Sequence, residues 1–303
     1  MSLTYPESIG VGLLQGVTEL FPVSSLGHSI LIPALIGGSV QRDLNVTADQ
    51  SPYLSVLIGL HLATAAALVL FFRKDWVRVL RGLFSSIRER RIETSEQRLA
   101  WLLIVGTIPV GLAGLVAEHA LRSALGKPVP AAVFLALNGF VLLGAERLRR
   151  GGGGRRRAGA QVEHVPGADP AIESDRRLAK LTLRQGTWIG AAQILALLPG
   201  ISRSGVTMST GILRGLNHED AARFSFLLAT PVIAAAAVLK VPELLKPENA
   251  AIRGPLLVGS LCAFVAGYVS VKFLTKYFEN RSLTPFAIYC MVAGVGSAVY
   301  LSM

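Results

Sequence analysis

The chain has 303 residues, of which 51% are hydrophobic and 16% are charged, against about 25% charged in an ordinary globular protein. With a mean hydropathy of +0.52, this balance excludes a disordered chain, a coiled coil and collagen, and it predicts one polytopic membrane domain over residues 1–303. The net charge of +11 indicates basic cytoplasmic loops and contacts with membrane lipids, and no nucleic acid partner is expected.

Two apolar regions are interrupted at their centres, and six other stretches are long enough to cross a bilayer. The interrupted regions cover residues 9–38, with a break at 21–25, and residues 186–215, with a break at 198–202. Each side of a break is too short to cross a hydrocarbon core of about 30 Å, so each region predicts a re-entrant helical hairpin. The six spans are expected at about 53–72, 99–117, 131–146, 221–240, 254–275 and 284–302.

Each half of the chain therefore has one hairpin followed by three spans. Because three crossings is an odd number, the second half enters from the opposite side of the membrane. The predicted fold class is all-α, with six transmembrane helices and two re-entrant hairpins in an inverted-topology repeat. The repeats are residues 1–146 and 185–303, joined by a cytoplasmic basic linker at 147–184, of which we expect residues 151–175 to be poorly ordered.

The distribution of basic residues predicts the orientation of the chain. The predicted loops at 73–98, 147–184 and 276–283 carry twenty Lys and Arg residues, and those at 39–52, 118–130 and 241–253 carry five. The positive-inside rule places the first group in the cytoplasm, which predicts the orientation of a multi-pass membrane protein. Glu146 and Arg214, near cytoplasmic helix ends, are expected to be solvated.

Polar side chains concentrate in and beside the two breaks. Glu19, His28 and Arg203 are ionisable residues at predicted membrane depth, where such groups are expensive and mark functional sites. A purely structural ion pair between Glu19 and Arg203 is the alternative. The neighbouring polar side chains are those of Gln15, Thr18, Ser24, Ser25, Ser202, Ser204 and Thr207.

In each hairpin the second short helix begins at the break, deep in the protein. Ser24 or Ser25 is expected to cap one helix and Ser202 the other, with Arg203 in its first turn. Because the hairpins enter from opposite faces, the two N-termini can converge with Arg203 on an anion, for which phosphate is the natural choice. Three glycines would let the backbone approach the ligand closely: Gly27, Gly200 and Gly205.

The other side of this predicted site is acidic. Gln15 and Glu19 are four residues apart and share one helix face. A carboxylate facing a phosphate site predicts a divalent cation between them, Mg or Ca. Ser25 and His28 supply a hydroxyl and an acid–base group at a spacing that permits nucleophile activation or proton delivery. For His61, in the following span, the alternatives are a side chain that faces the cleft and a purely structural role, and the structural role is favoured.

These residues resemble two family signatures. Residues 15–19 (Gln-Gly-Val-Thr-Glu) followed by 22–28 (Pro-Val-Ser-Ser-Leu-Gly-His) resemble the first signature of the bacterial undecaprenyl-diphosphatase family, the bacitracin-resistance type. Residues 199–207 (Pro-Gly-Ile-Ser-Arg-Ser-Gly-Val-Thr) resemble its second signature. Residues 224–229 and 285–289 also match the pattern of the family, so the resemblance covers nearly the whole chain.

The resemblance implies hydrolysis of undecaprenyl diphosphate, a polyprenyl diphosphate lipid, at a site that opens to the outer face and uses a divalent metal. This activity recycles the lipid carrier of peptidoglycan synthesis and confers bacitracin resistance. By the same resemblance, Glu19 supports the metal or polarises the nucleophile, Ser25 is the nucleophile, His28 is its acid–base partner and Arg203 clamps the diphosphate. Gln15 stands where many members carry a second Glu. The implied substrate-binding residues are Ser24, Gly27, Ser202, Ser204, Gly205 and Thr207.

Two other functions remain as alternatives. Inverted repeats with half-helices at the midplane are typical of transporters, so a transporter or flippase of a polyprenyl phosphate lipid is the main one. A binding scaffold for cell-wall assembly is the other. Ser25 beside His28 favours hydrolysis, because transport needs no nucleophile. The sequence leaves open the prenyl chain length, the metal, attack by serine or by water, and the oligomeric state, a homodimer included.

Overall fold

The computed structural model describes residues 3–44, 52–151, 169–244 and 247–303, and within these ranges it contains helices and no strand. The first half contains α1 (Tyr5–Thr18), α2 (Ser25–Ile36), α3 (Gly38–Asp43), α4 (Pro52–Phe71), α5 (Arg73–Glu89), α6 (Ser95–Leu125) and α7 (Pro128–Gly151). The second half contains α8 (Pro170–Leu178), α9 (Leu183–Ala191), a 3-10 turn (Ala192–Leu197), α10 (Arg203–Leu213), α11 (His218–Leu244), a 3-10 turn (Pro247–Ile252), α12 (Arg253–Asn280) and α13 (Thr284–Ser302).

Several of these helices are long and apolar enough to cross a membrane, which confirms the all-α class and a multi-pass membrane protein. By length and composition, the described residues contain four such helices: Ser95–Ala117, Pro128–Gly151, Ala250–Asn280 and Thr284–Ser302. A fifth is obtained if the last sixteen residues of α4 are counted with α5, which is bent from them by 83°. Helices α4 and α11 cover the remaining two stretches predicted to be spans.

The helix that precedes the break in each interrupted region packs on the other half of the chain. Helix α1 lies along α12, and α9 lies along α6. Small residues bring these backbones together: a Cβ atom on Gly12 or Gly16 would overlap the backbone of α12, and one on Gly190 would overlap the backbone of α6 at Gly106. The two halves are therefore interleaved, and the packing of α1 on α12 has a counterpart in that of α9 on α6.

The predicted disorder of residues 151–175 is wrong for residues 170–175, which belong to α8; the part of that segment from 152 to 168 lies outside the described residues. Asp169 caps α8, and its side chain accepts a hydrogen bond from an N–H of the first turn. Arg177 Nε donates to Asp220 Oδ2 of α11 at 2.6 Å, and Ser174 Oγ donates to the same carboxylate at 2.6 Å. Charged pairs dock this helix together with Leu178, which is buried in the hydrophobic core, so a segment rich in charge still becomes ordered.

Arg214 and Glu146, near the ends of long helices, were both expected to be solvated, and the structure confirms only the first. Arg214 is exposed, as predicted. Glu146 was expected to be solvated, and this prediction is wrong, because only 2% of the residue is exposed. Its Oε1 lies 2.5 Å from His218 Nε2 and accepts a hydrogen bond from the Leu283 N–H at 2.8 Å. The carboxylate thereby satisfies the start of α13, whose N–H groups lack partners within the helix.

Candidate active site

The two interrupted regions meet inside the protein. Helix α2 begins at Ser25, helix α10 begins at Arg203, and the loops before them are in contact. A Cβ atom on Gly27 would lie 2.9 Å from the Gly200 Cα atom, so no larger residue fits at this crossing without a shift. Ser204 Oγ donates to the Phe21 carbonyl at 3.1 Å and ties one loop to the other. The N-termini of α2 and α10 therefore lie close together.

Serine caps start both helices. Ser24 Oγ accepts a hydrogen bond from the Gly27 N–H at 3.2 Å, and Ser202 Oγ accepts one from the Gly205 N–H at 3.1 Å. Ser24 has a φ of 70°, a left-handed conformation that non-glycine residues rarely adopt. Because Ser24 is the cap, the hydroxyl of Ser25 is released from that task and is available to the site.

Glu19 is the centre of the site. Its side chain is buried, and its Oε1 accepts a hydrogen bond from Arg203 Nη2 at 2.8 Å. Ser25 Oγ donates to the other oxygen, Oε2, at 2.5 Å. Two further groups reach Oε2: the amide of Gln15, which donates at 3.1 Å, and His61 Nε2, at 3.2 Å. One carboxylate thus joins the hydroxyl of the first break to the guanidinium of the second.

Two atoms around Glu19 are buried and have no hydrogen-bond partner among the described residues. One is Arg203 Nη1, a charged donor, and the other is Gln15 Oε1, an acceptor. Buried polar groups are nearly always paired, and an unpaired one needs an explanation. A free guanidinium donor beside two helix N-termini fits an anion, and a free amide oxygen beside a carboxylate fits a cation.

His28 lies near the start of α2 and is held at both ring nitrogens. Its Nδ1 lies 2.7 Å from the Ser24 carbonyl oxygen, and because a carbonyl can only accept, Nδ1 is the donor. Its Nε2 then accepts from the Tyr289 hydroxyl at 2.7 Å, and the two rings stack at 5.7 Å between centroids. The sequence hypothesis pairs Ser25 with His28, but the structure pairs Ser25 with Glu19 and His28 with Tyr289.

The hydroxyls predicted to hold phosphate oxygens are engaged by protein groups. Ser202 Oγ and Ser204 Oγ lie 3.0 Å apart, and Thr207 Oγ1 donates to the Arg203 carbonyl at 2.7 Å. Thr18 Oγ1 donates in the same way to a carbonyl of α1. These side chains shape the two breaks, while Arg203 keeps a guanidinium donor, Nη1, that has no partner among the described residues.

Sequence reasoning missed Asn138, which clamps the two breaks together. Its Nδ2 donates to the Pro22 carbonyl at 3.0 Å, and its Oδ1 accepts from the Ser202 N–H at 3.0 Å. Asn138 is completely buried in α7. The available signal was a lone amide within the apolar stretch 131–146, because a polar residue at that depth needs a partner.

His61 and Tyr289 were also undervalued. The sequence interpretation favoured a structural role for His61, yet its Nε2 contacts Glu19 while its Nδ1 is fixed 2.7 Å from the Leu57 carbonyl. Tyr289 ends a stretch that resembles the family pattern, but no residue near it in sequence indicates contact with His28. Both residues reach the site from helices outside the two breaks.

The residues present fit a weakly held divalent cation rather than a dedicated metal cage. Within the described ranges, no group of three or more His, Cys, Asp and Glu side chains could hold a metal ion. Gln15 Oε1 and Glu19 offer two oxygen ligands on one side of the site, whereas both nitrogens of His61 face acceptor oxygens and are donors. Magnesium commonly takes one or two carboxylates and completes its shell with substrate phosphates and water, which suits so sparse a set.

An apolar groove of about 430 Å³ reaches the second break from the side of α7. Its walls are Phe134, Leu137, Phe140, Val141, Leu195, Leu198, Ile201 and Val206. Leu198 and Ile201 belong to the break itself, so the groove leads from the outer surface of the helix bundle to the residues just before Arg203. Its lining suits a hydrocarbon chain.

Comparison with known proteins gives a consistent result. The family model described as "Bacitracin resistance protein BacA" matches residues 8–296. Proteins named "Undecaprenyl-diphosphatase" in Mycolicibacterium paratuberculosis and Mycobacterium avium are each 60% identical over 304 residues, covering 99% of this chain and 98% of the relative. "Undecaprenyl-diphosphatase 2" of Frankia alni is 50% identical over 330 residues, covering 96% of each chain.

Proposed function

Because the chain belongs to the family of bacitracin resistance protein BacA, we propose that it hydrolyses undecaprenyl diphosphate to undecaprenyl phosphate and inorganic phosphate within the membrane. Relatives that bear the name of this activity align over nearly the whole length of the chain. The product is the lipid carrier of peptidoglycan synthesis, so the reaction recycles the carrier and protects against bacitracin.

The observation that carries the proposal is the shared carboxylate of Glu19. It accepts the Ser25 hydroxyl at 2.5 Å and binds Arg203 at 2.8 Å. A proton acceptor, a nucleophile and an anion clamp therefore lie within one hydrogen-bonded group, which is what phosphoryl transfer requires. A transport site for the same lipid needs the clamp but not the activated hydroxyl.

In the proposed reaction, Ser25 Oγ attacks the terminal phosphorus of the diphosphate. A bond forms between Oγ and phosphorus, the bond from phosphorus to the bridging oxygen breaks, and the Ser25 proton passes to Glu19 Oε2. Arg203 and the N–H groups at the starts of α2 and α10 stabilise the charge on the equatorial oxygens. Water then hydrolyses the phosphoserine and releases inorganic phosphate.

The leaving oxygen bridges the two phosphorus atoms of the substrate. When its bond to the terminal phosphorus breaks, it carries the new negative charge of the lipid phosphate. We assign proton donation there to the pair of His28 and Tyr289, because His28 Nδ1 is committed to the Ser24 carbonyl. Proton exchange at His28 is thereby restricted to Nε2, the atom that contacts the Tyr289 hydroxyl. In this step His28 carries a second proton, on Nε2; that proton passes to the Tyr289 oxygen as the tyrosine proton moves to the leaving oxygen, which leaves His28 neutral and Tyr289 protonated.

Gln15 Oε1 and Glu19 are the residues that would hold a divalent cation, Mg or Ca. When bound, the cation neutralises charge on the diphosphate oxygens. The apolar groove along α7 is assigned to the first isoprene units of the substrate, since it ends at the residues before Arg203. Both assignments place the headgroup between the two helix starts and the lipid chain toward the bilayer.

For the membrane arrangement, we propose that α4, α6, α7, α11, α12 and α13 span the bilayer, with α1–α2 and α9–α10 as re-entrant hairpins. The interleaved packing of α1 on α12 and of α9 on α6 supports an inverted repeat of residues 1–146 and 185–303. The linker and the other basic loops lie in the cytoplasm by the positive-inside rule, and the site opens to the outer face.

The test is phosphate release from undecaprenyl diphosphate by the purified protein in nanodiscs, with and without a chelator. Release that stops with the chelator and returns with Mg or Ca supports the hydrolase and its cation. The interleaved halves also favour a flippase of the lipid phosphate. Transbilayer movement of a fluorescent polyprenyl phosphate in proteoliposomes, without any phosphate release, would replace the hydrolase with that transporter.

A further inference from the structure

Helix α5 carries an exposed apolar stripe that no described residue covers. Val77, Leu80, Phe84 and Ile87 follow one another at intervals of three, four and three residues, so they share one face of the helix. All four are exposed, Phe84 by 69% and Ile87 by 56%. A continuous apolar stripe along a helix is unfavourable in water and indicates a partner or a lipid phase.

A basic stripe runs beside it. Lys74, Arg81 and Arg88 are spaced seven residues apart, which places them on one flank of the same helix, and all three are exposed. The opposite side of α5 faces the protein: Asp75 and Gly82 are buried there. The helix therefore has a protein face, an apolar face and a basic flank.

The direction of α5 differs sharply from that of α4. It is bent by 83° from α4, so if α4 spans the bilayer, α5 lies nearly parallel to the membrane surface. The bend lies at Phe72, between the two helices. The protein face of α5 is held by Asp75, which pairs with Arg223 of α11 at 2.5 Å, and by Arg78, which pairs with Asp175 of α8 at 3.2 Å. The exposed faces are thus fixed in orientation by the rest of the molecule.

We propose that α5 is an interfacial helix that binds the anionic phospholipid headgroups of the leaflet on the side of the basic loops. Val77, Leu80, Phe84 and Ile87 enter the boundary between headgroups and acyl chains, and Lys74, Arg81 and Arg88 contact lipid phosphates. The combination of a large apolar face, a basic flank and an orientation parallel to the surface is what distinguishes such helices from spans and from solvated helices.

Charge complementarity favours anionic lipid over a second copy of the chain as the partner of the exposed surface of α5. The exposed surface of α5 is basic, and the net charge of the whole chain is +11, so a second copy would bring a like-charged partner to this flank. Each basic residue near an anionic surface contributes attraction that falls off within a Debye length. The surface lies outside the proposed active site, so the inference stands whether or not the catalytic assignment does.

The first test measures depth by site-directed spin labelling in nanodiscs that contain phosphatidylglycerol. Single cysteines replace Phe84 or Ile87 on the apolar stripe and Arg81 or Arg88 on the basic flank. The background is Cys262→Ala, because Cys290 is buried and is expected to remain unlabelled. Labels at 84 and 87 should be relaxed more by oxygen than by a water-soluble nickel chelate, and labels at 81 and 88 should show the reverse.

Two results of this test would overturn the proposal. Nickel accessibility at 84 equal to that at 81 would mean that the stripe faces water. Low accessibility to both reagents at 84, with dipolar broadening that grows with the number of chains per nanodisc, would assign the stripe to a second copy. Unchanged phosphate release by the labelled proteins shows that the fold is retained in each case.

The second test measures lipid selectivity. A bimane fluorophore attached to the Phe84→Cys variant is quenched by nitroxide-labelled phosphatidylglycerol or phosphatidylcholine in otherwise zwitterionic nanodiscs. We expect the anionic lipid to quench at least about twice as strongly, and the added triple substitution K74Q/R81Q/R88Q to bring the ratio to about one. The triple substitution R147Q/R149Q/R150Q removes the same charge from the exposed end of α7 and should leave the ratio unchanged. If the two labelled lipids quenched the Phe84→Cys protein equally before any Lys or Arg was replaced, specific binding at α5 would be refuted. The same conclusion would follow if both triple substitutions lowered the quenching ratio to the same extent.

Discussion

The contact between Ser25 and Glu19 gives the sharpest test of the proposed chemistry, because a hydroxyl and its proton acceptor should act as one unit. Their oxygens lie 2.5 Å apart, the distance of a charge-assisted hydrogen bond. We consider the variants Ser25→Ala and Glu19→Gln together with the double variant. Glutamine keeps the size and one acceptor oxygen, so it removes the charge with little change in packing.

Each single variant should lower kcat by about 100-fold or more, the scale of lost acid–base catalysis, which corresponds to about 2.7 kcal/mol at 1.36 kcal/mol per decade. If the two residues acted independently, the double variant would lose about 10,000-fold. Because the second substitution removes a partner that has already lost its function, we expect the double variant to stay within about tenfold of the worse single one.

The assay is the initial rate of phosphate release over a range of undecaprenyl diphosphate concentrations in nanodiscs. Separate values of kcat and KM are needed, since Glu19 also binds Arg203 and its loss alters binding. Ser8→Ala is the matched control. Ser8 is buried, and its hydroxyl donates to the Pro255 carbonyl far from the site. This control should lose stability and keep kcat.

If the kcat losses of the two single variants multiplied fully in the double variant, Ser25 and Glu19 would not act as one unit. A well-folded Ser25→Ala variant with nearly normal kcat would refute the serine nucleophile, and Glu19 would then have to activate water directly. If Glu19→Gln were also active, hydrolysis at this site would be wrong, and the transporter would become the better description of the protein.

Four other predictions test the surroundings of this pair. Asn138→Leu leaves a buried carbonyl and a buried N–H unpaired, at a cost of about 1–3 kcal/mol each, and misplaces the two breaks. Thermal unfolding should therefore show a lower Tm, and kcat should fall by about 100-fold. Tyr289→Phe keeps the ring stacked on His28 but removes its hydroxyl partner, so kcat should fall by about tenfold with KM unchanged, whereas a purely structural role would leave kcat intact. Arg203→Ala should raise KM as well as lower kcat, because the clamp contacts substrate and transition state alike, and equal KM values would contradict it. Gln15→Glu adds a carboxylate at the proposed cation site, so half-maximal activity should need a lower Mg or Ca concentration after chelator treatment; a higher requirement would remove this residue from the ligand set.

The places where helices stop inside the membrane region could be predicted from the sequence, because the responsible signals are local. Pro22 and Pro199 lie near the centres of long apolar runs, and serine follows each of them within three residues. The start of α2 at Ser25 and of α10 at Arg203 follows directly. Local signals alone therefore predict two short helices with polar N-termini.

The contacts between those helices could not be predicted from local signals. Arg203 and Glu19 are 184 positions apart, and only the argument from an inverted repeat brought them together. Nothing comparable pointed to Asn138 or to Tyr289, because a single polar residue in an apolar span indicates that it has a partner but not which one. The predicted loop at 73–98 contains α5 for a different reason: a search for uninterrupted apolar stretches does not detect an amphipathic helix.

The interleaving of the two halves has a consequence for how the chain is made. Gly12 and Gly16 of α1 fit the backbone of α12, which begins only at Arg253 and is therefore synthesised much later. Until then, the side of α1 that carries these glycines has no backbone to pack against, and the polar residues near the end of this helix, Gln15 and Glu19, lack Arg203. Such non-local pairing slows folding and leaves early segments vulnerable to degradation or to wrong contacts. The first half of the growing chain can therefore enter the bilayer early, but it becomes a stable structure only after the second half has been synthesised.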